Sequence, residues 1–213
     1  MFADRADAGR RLAGHLRHLQ GADLVVLGLP RGGVVVAAEV ARALAAPLDV
    51  LVVRKLGHPG QPELALGAIG EGGVRVLTPE ASVRRGVEES ALREIELAEA
   101  AVLRERVARL REDHPRVDLQ GRVALIVDDG IATGSTIRAG CLVARGLGAV
   151  RVVVAVPVAP GGVARRLVEA DEVVCVATPA GFRAVGLHYQ DFSQTTEEEV
   201  LALLNRSRLE SGP

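Results

Sequence analysis

Five nearly continuous apolar runs restrict what this chain can fold into. DLVVLGLP (residues 23–30), LDVLVVRK (48–55), RVALIVDD (122–129), VRVVVAVPVA (150–159) and EVVCVATP (172–179) are built almost wholly from Val, Leu, Ile and Ala. A strand with one wet face would alternate apolar and polar residues. A run apolar on both faces belongs to a parallel sheet covered on both sides. Helical segments separate the runs: VVVAAEVARALAA (34–46), STIRAGCLVARGLG (135–148) and GGVARRLVEA (161–170). The expectation is an α/β fold, a parallel β-sheet of about five strands flanked by helices on both faces.

Other segments decorate that core. Residues 2–20 read as an amphipathic helix with Leu12, Leu16 and Leu19 on one face. A Gly/Pro-rich stretch, GHPGQPELALGAIGEGG (57–73), precedes a short strand-like VRVL. Residues 88–111 are strongly helical, with Ile95, Ala98 and Val102 in phase and Glu89/Arg93 and Glu105/Arg109 at supportive spacing. A last helix follows Thr195 or Thr196, either of which can cap it ahead of acidic residues.

Composition excludes several function classes. At 213 residues the chain suits one domain. A formal charge of -1 advertises neither a nucleic-acid nor an anionic-membrane partner. No apolar stretch reaches spanning length, and the N-terminus lacks a signal-peptide core. Cys141 and Cys175 lack metal-ligand spacing and read as reduced thiols, so a cytoplasmic protein is expected. His15, His18 and His114 read as solvated. Of four aromatic residues, Phe182, Tyr189 and Phe192 cluster near the C-terminus, which leaves the main core to aliphatic residues. Among 26 basic residues Lys55 is the single lysine, and it ends a strand beside Arg54. A compact ammonium on a flexible stem does what a planar guanidinium fork cannot.

In an open parallel sheet, ligands bind at the carboxyl ends of the strands. Three of those ends carry unusual residues: PRGG (30–33), Arg54–Lys55 and DDGIATGST (128–136). In the last, Gly134, Ser135 and Thr136 open a helix. Free backbone N–H groups, hydroxyls and the positive dipole end together make an anion cradle. Neither the Walker A pattern nor the dinucleotide fingerprint is present. Two carboxylates just before the cradle would repel a bare phosphate. They suit a ligand that offers vicinal hydroxyls or a bound magnesium between its phosphates.

An apolar strand, then DDGIATGST, then a helix resembles the ribose-phosphate signature of the type I phosphoribosyltransferases. VVLGLPRGG resembles the family's pyrophosphate loop, RKLG its basic strand end before a mobile loop, and EVVCVATPAGF the strand and loop that face the base. The resemblance implies Mg2+-dependent transfer of phosphoribose from phosphoribosyl pyrophosphate to a small nitrogen nucleophile, with release of pyrophosphate. Carried over by position, Asp128 and Asp129 hold the ribose hydroxyls and the Mg2+ shell. Ala132, Thr133, Gly134, Ser135 and Thr136 cradle the 5-phosphate, and Arg31, Gly32 and Gly33 bind pyrophosphate with Arg54 beside them. Lys55 follows the leaving group as a catalytic cation, and Val173 faces the base. A cis peptide between Pro30 and Arg31 is also implied.

The same resemblance organises the chain as one domain: a core of about 21–56 and 120–180, a lid and inserted helix over about 57–118, and a hood from about 1–20 and 181–213. The inserted helix matches nothing in the family and could serve a homodimer contact, support for the lid, or only an exposed face. Where the 6-oxopurine branch has an acid, this chain has Ala132, and where that branch has a stacking aromatic, Val173. Both departures point away from hypoxanthine and guanine. A sensor of phosphoribosyl pyrophosphate without turnover is the alternative on the same fold.

Overall fold

The computed structural model describes residues 1–77, 87–112 and 114–211, apart from the side chains of residues 61–65 and 211. In chain order the elements are α1 (Arg5–His15), β1 (Leu24–Gly28), α2 (Gly32–Leu44), β2 (Leu48–Val50), β3 (Val53–His58), β4 (Gln61–Gly70), β5 (Arg75–Leu77), α3 (Glu89–Arg111), β6 (Val123–Val127), α4 (Ser135–Gly146), β7 (Arg151–Val158), the single turn α5 (Val163–Arg166), β8 (Glu172–Ala177) and α6 (Glu197–Ser211). The five apolar runs form one parallel sheet in the order β2-β1-β6-β7-β8. Alternate side chains leave opposite faces, so each run feeds two cores. Leu24, Val26, Leu125, Val127 and Val153 pack into the core that also holds residues of α1, α2 and α6. Val25, Leu27, Ala124, Ile126 and Val154 pack into the core that holds residues of α4. From β1 the chain winds to β2 on one side, whereas β6, β7 and β8 extend on the other. The C-terminal ends of β1 and β6 therefore flank the point where the winding reverses, where such sheets open a crevice.

Residues 48–55 do not form one strand. Leu48–Val50 pairs with β1, the Leu51 N–H donates to the Gly28 carbonyl at 3.1 Å, and the chain then turns out of the sheet. From Val53 it enters a second, antiparallel sheet in the order β3-β4-β5. Much of the Gly/Pro-rich stretch expected as a lid loop is thus the strand β4. Its glycines answer to packing rather than to turns. A Cβ at Gly67 would lie 2.4 Å from the Val76 carbonyl oxygen, and one at Gly70 would lie 2.3 Å from Val143 of α4.

The face of α3 also differs from expectation. Leu92, Leu103 and Leu110 are buried, whereas Ala98 and Val102 are exposed. The C-terminal end of α3 is fastened by Arg111, which pairs with Asp49 of β2 at 2.5 Å and with Glu71 at 2.6 Å, all three nearly buried. Burial opposes the guanidinium's charge, but the two carboxylates more than compensate and raise its pKa above the ordinary value. His114, expected in solvent, is buried beside this cluster and gives its carbonyl to Arg111.

The chain ends meet. Phe2 bridges Tyr189, with the Phe2 N–H donating to the His188 carbonyl and the Gln190 N–H to the Phe2 carbonyl, both at 2.8 Å. Phe2, Tyr189 and Phe192 pack ring against ring. Thr196 caps α6 reciprocally: its hydroxyl accepts from the Glu199 N–H while the Glu199 carboxylate accepts from the Thr196 N–H. Both cysteines are free, and burial pushes the Cys141 thiol up to about 12. Among the described residues no helix is long and apolar enough to cross a membrane.

Candidate active site

The crevice at the switch point is narrow because glycines line one wall. Gly32 and Gly33 open α2 opposite the two aspartates that end the β6 run. A Cβ at Gly33 would lie 2.8 Å from both Asp128 Oδ1 and the Val127 carbonyl oxygen, and 2.9 Å from Asp128 Cα. A Cβ at Gly32 would lie 2.1 Å from Asp129 Oδ2. PRGG and DD thus meet as two loops, in backbone contact at Gly33, where a larger residue would have to push them apart. The Pro30–Arg31 peptide is cis.

The two aspartates are held differently. Burial first, and the Asp129 charge second, push Asp128 well above the ordinary 3.8, while its Oδ1 accepts from the Asp129 N–H at 2.9 Å. Asp129 Oδ2 pairs with Arg5 Nε at 2.8 Å, and the Asp129 carbonyl accepts from the Tyr189 hydroxyl at 2.6 Å. Arg5 also donates to the Ser193 carbonyl and lies 4.0 Å over the Phe192 ring. The hood formed by the chain ends therefore grips Asp129 from two sides. Arg5 was not legible as a site residue, because it reaches the site only once the chain ends close on it.

After the aspartates the chain bends through Gly130, where a Cβ would strike Val185 at 2.6 Å, and then through Gly134 at φ 83°. Only glycine takes that left-handed conformation without strain, and it sets Ser135 and Thr136 at the start of α4. Asp128, Ala132 to Thr136 and Val185 surround a cleft of about 170 Å3. The Thr133 and Ser135 hydroxyls lie 3.1 Å apart, and Lys55 Nζ donates to Ser135 Oγ at 3.3 Å. A second cavity, of about 510 Å3, shares Thr136 with this one and is also lined by Pro30, Arg54, Lys55 and Arg106. Arg54 is tied to Glu99 of α3 at 2.5 Å.

Of the residues singled out in the sequence, Arg31, Gly32, Gly33, Arg54, Lys55, Asp128, Asp129 and 132–136 all lie around this crevice. Val173 does not. It pairs with Val154 near the N-terminal end of β8, whereas the crevice lies level with Val158, whose carbonyl accepts from the Ile131 N–H. Four residues of strand separate the two levels, roughly 13 Å. The residue that β8's following loop does bring to the crevice is Val185.

For a divalent cation, the described residues offer the Asp128–Asp129 pair and no cluster of three or more His, Cys, Asp or Glu side chains. That donor set suits Mg2+, which is commonly held through one or two carboxylates together with the oxygens of a bound phosphate ligand.

The sequence profile of the phosphoribosyl transferase domain matches residues 3–190. Two Mycobacterium tuberculosis proteins, from strains CDC 1551 / Oshkosh and ATCC 25618 / H37Rv and provisionally named phosphoribosyl transferases, are each 55% identical over 208 residues. The match takes in 97% of this chain but 47% of each relative, so the chain spans about half the length of the curated relatives it matches. The crystal structure of TT1426 from Thermus thermophilus is 48% identical, with a TM-score of 0.90 over 97% of this chain and 98% of that one.

Proposed function

We propose that this chain, which belongs to the phosphoribosyl transferase domain family, moves phosphoribose from phosphoribosyl pyrophosphate to a nitrogen nucleophile and releases pyrophosphate. The observation that carries the reading is the meeting of the acid pair with Gly32 and Gly33, contacts too close for any Cβ, beside a hydroxyl-rich helix start. A ligand filling this crevice needs hydroxyls at its middle and anions at both ends, which describes a phosphorylated sugar diphosphate.

Each group then has a chemical task. Asp128 and Asp129 accept from the ribose hydroxyls and would hold Mg2+, which supplies positive charge to the donor's oxygens when bound. The 132–136 loop takes the 5-phosphate through backbone N–H groups at the start of α4 and through the Thr133, Ser135 and Thr136 hydroxyls. Arg31, Gly32 and Gly33 face the pyrophosphate. Breaking the C1–O bond leaves positive charge on the sugar, as in glycoside hydrolysis, and negative charge on the departing pyrophosphate. Lys55 can leave the Ser135 hydroxyl and track that growing charge, because its stem is flexible. The β3–β4 hairpin acts as the lid that keeps water out.

The acceptor reading now rests on Ala132 alone, since Val173 lies away from the crevice. A methyl group there cannot exchange a ring proton, so 6-oxopurines are excluded in this proposal. The test is a pyrophosphate-release panel with magnesium, covering each nucleobase, pyridine carboxylates and small amines. Turnover with an acceptor other than hypoxanthine or guanine is expected. Fast turnover of either purine would overturn the acceptor reading. Silence across the panel alongside tight donor binding would overturn turnover itself and leave a sensor.

A further inference from the structure

The long helix α3 packs against β3 and β4 of the antiparallel sheet, and its inner face carries two charges where apolar residues would be expected. Residues 92, 95, 99, 103, 106 and 110 recur at steps of three and four and form one stripe. The stripe reads Leu, Ile, Glu, Leu, Arg, Leu. Glu99 is explained by its ion pair with Arg54. Arg106 has no such explanation. It is partly buried, its Nη2 donates to the Pro30 carbonyl at 3.1 Å, and among the described residues it has no carboxylate within ion-pair distance.

We infer that Arg106 is a ligand for the diphosphate group of the donor, so that α3 completes the binding site from outside the parallel sheet. This inference rests on the transferase reading for the identity of the ligand. The geometry supports it in three ways. Arg106 lines the 510 Å3 cavity together with Lys55, Thr136 and Pro30, the residue that opens the PRGG loop. The hydrogen bond to Pro30 uses one N–H of the guanidinium; its other donors have no partner among the described residues, and a planar fork suits phosphate oxygens. Finally, cations gather around Arg106, with Glu197 opposing them and Glu99, on the same cavity wall, taken up by Arg54. Burial first lowers the Arg106 pKa, Glu197 opposes that, and Arg31 and Arg54 lower it further. A guanidinium half-withdrawn from water among like charges is costly until an anion arrives.

A plain strut to the Pro30 carbonyl is the competing role, and charge separates the two. Arg106→Gln keeps an N–H donor for Pro30 but loses the charge, whereas Arg106→Lys keeps the charge and loses the fork. Calorimetry with inorganic pyrophosphate and magnesium, and separately with ribose 5-phosphate, should be run on wild type, Arg106→Ala, Arg106→Gln and Arg106→Lys. Loss of a charge-assisted hydrogen bond predicts that the Ala and Gln variants bind pyrophosphate about ten- to a hundredfold more weakly. The Lys variant should fall between, and ribose 5-phosphate affinity should change by less than about threefold throughout. Wild-type pyrophosphate affinity in Arg106→Gln, or parallel loss of both ligands, would overturn the inference. So would a wild type that binds no pyrophosphate, whatever the turnover assay gives. Pyrophosphate binding that depends on Arg106 in a protein with no turnover would keep the site and remove the transferase reading.

Discussion

Gly33→Ala probes the contact between the two loops that build the crevice. The added methyl would meet Asp128 Oδ1 and the Val127 carbonyl oxygen at 2.8 Å and Asp128 Cα at 2.9 Å, where ordinary contacts begin at 3.4 Å. Two of these atoms are backbone at the end of β6, so relief requires the loops to separate by roughly half an ångström. Overpacking of this kind costs about 1–3 kcal/mol. Alanine's better helix propensity returns up to about 1 kcal/mol. The net loss of about 0–3 kcal/mol should lower the Tm by up to about 12 °C for a chain of this size. The functional cost should be larger in proportion, because a displacement near 1 Å can cost about a hundredfold where groups must align. About tenfold weaker binding of phosphoribosyl pyrophosphate is therefore expected, measured by calorimetry with magnesium. Gly14→Ala is the matched control, since a Cβ there meets nothing within 4 Å in the exposed face of α1. It should raise stability by about 0.4–1 kcal/mol and leave binding unchanged. A Gly33→Ala protein that melts and binds like wild type would refute the close-approach argument.

Other perturbations should separate the remaining roles. Lys55→Ala should lower turnover more than donor affinity, and Lys55→Arg should restore it incompletely; equal kinetics in all three proteins would return Lys55 to an ordinary surface role. Because burial and Asp129 raise Asp128 above 3.8, the folded state holds that proton more tightly than the unfolded state. This term makes ligand-free stability fall as pH rises from the ordinary value through the raised one, then level off. Metal-free thermal melts across pH should show that slope flattened in Asp128→Asn, and identical profiles would contradict it. Arg111→Met strands Asp49 and Glu71 in the interior. It should cost about 3–5 kcal/mol in urea unfolding, and a change below about 1 kcal/mol would show that the cluster is not what fastens α3.

The parallel sheet was legible because burial on both faces leaves an unmistakable record in DLVVLGLP, RVALIVDD and VRVVVAVPVA. The loops that form the crevice were legible because glycines, carboxylates and hydroxyls gathered at strand ends are not what an apolar core calls for. Local pattern failed where tertiary contact decides. LDVLVVRK reads as one strand, yet the chain leaves the parallel sheet after Val50 and crosses to another. The glycines of residues 57–73 look like loop residues because the carbonyl and side chain pressed against Gly67 and Gly70 come from distant segments. Val173 was misplaced because an apolar run does not mark which of its residues stands at the carboxyl end. Arg106 left a readable signal, a charge on the apolar stripe of its helix. That signal was obscured by placing Ala98 and Val102, which are exposed, on the buried face.

The central claim is that the Asp128–Asp129 pair at the switch point holds the sugar of phosphoribosyl pyrophosphate. Calorimetric titration of that donor with magnesium into wild type and the Asp128→Asn/Asp129→Asn double variant tests it most directly. The account predicts saturable binding by wild type and loss of most magnesium-dependent affinity in a double variant that still folds. A folded double variant with unchanged affinity would contradict it.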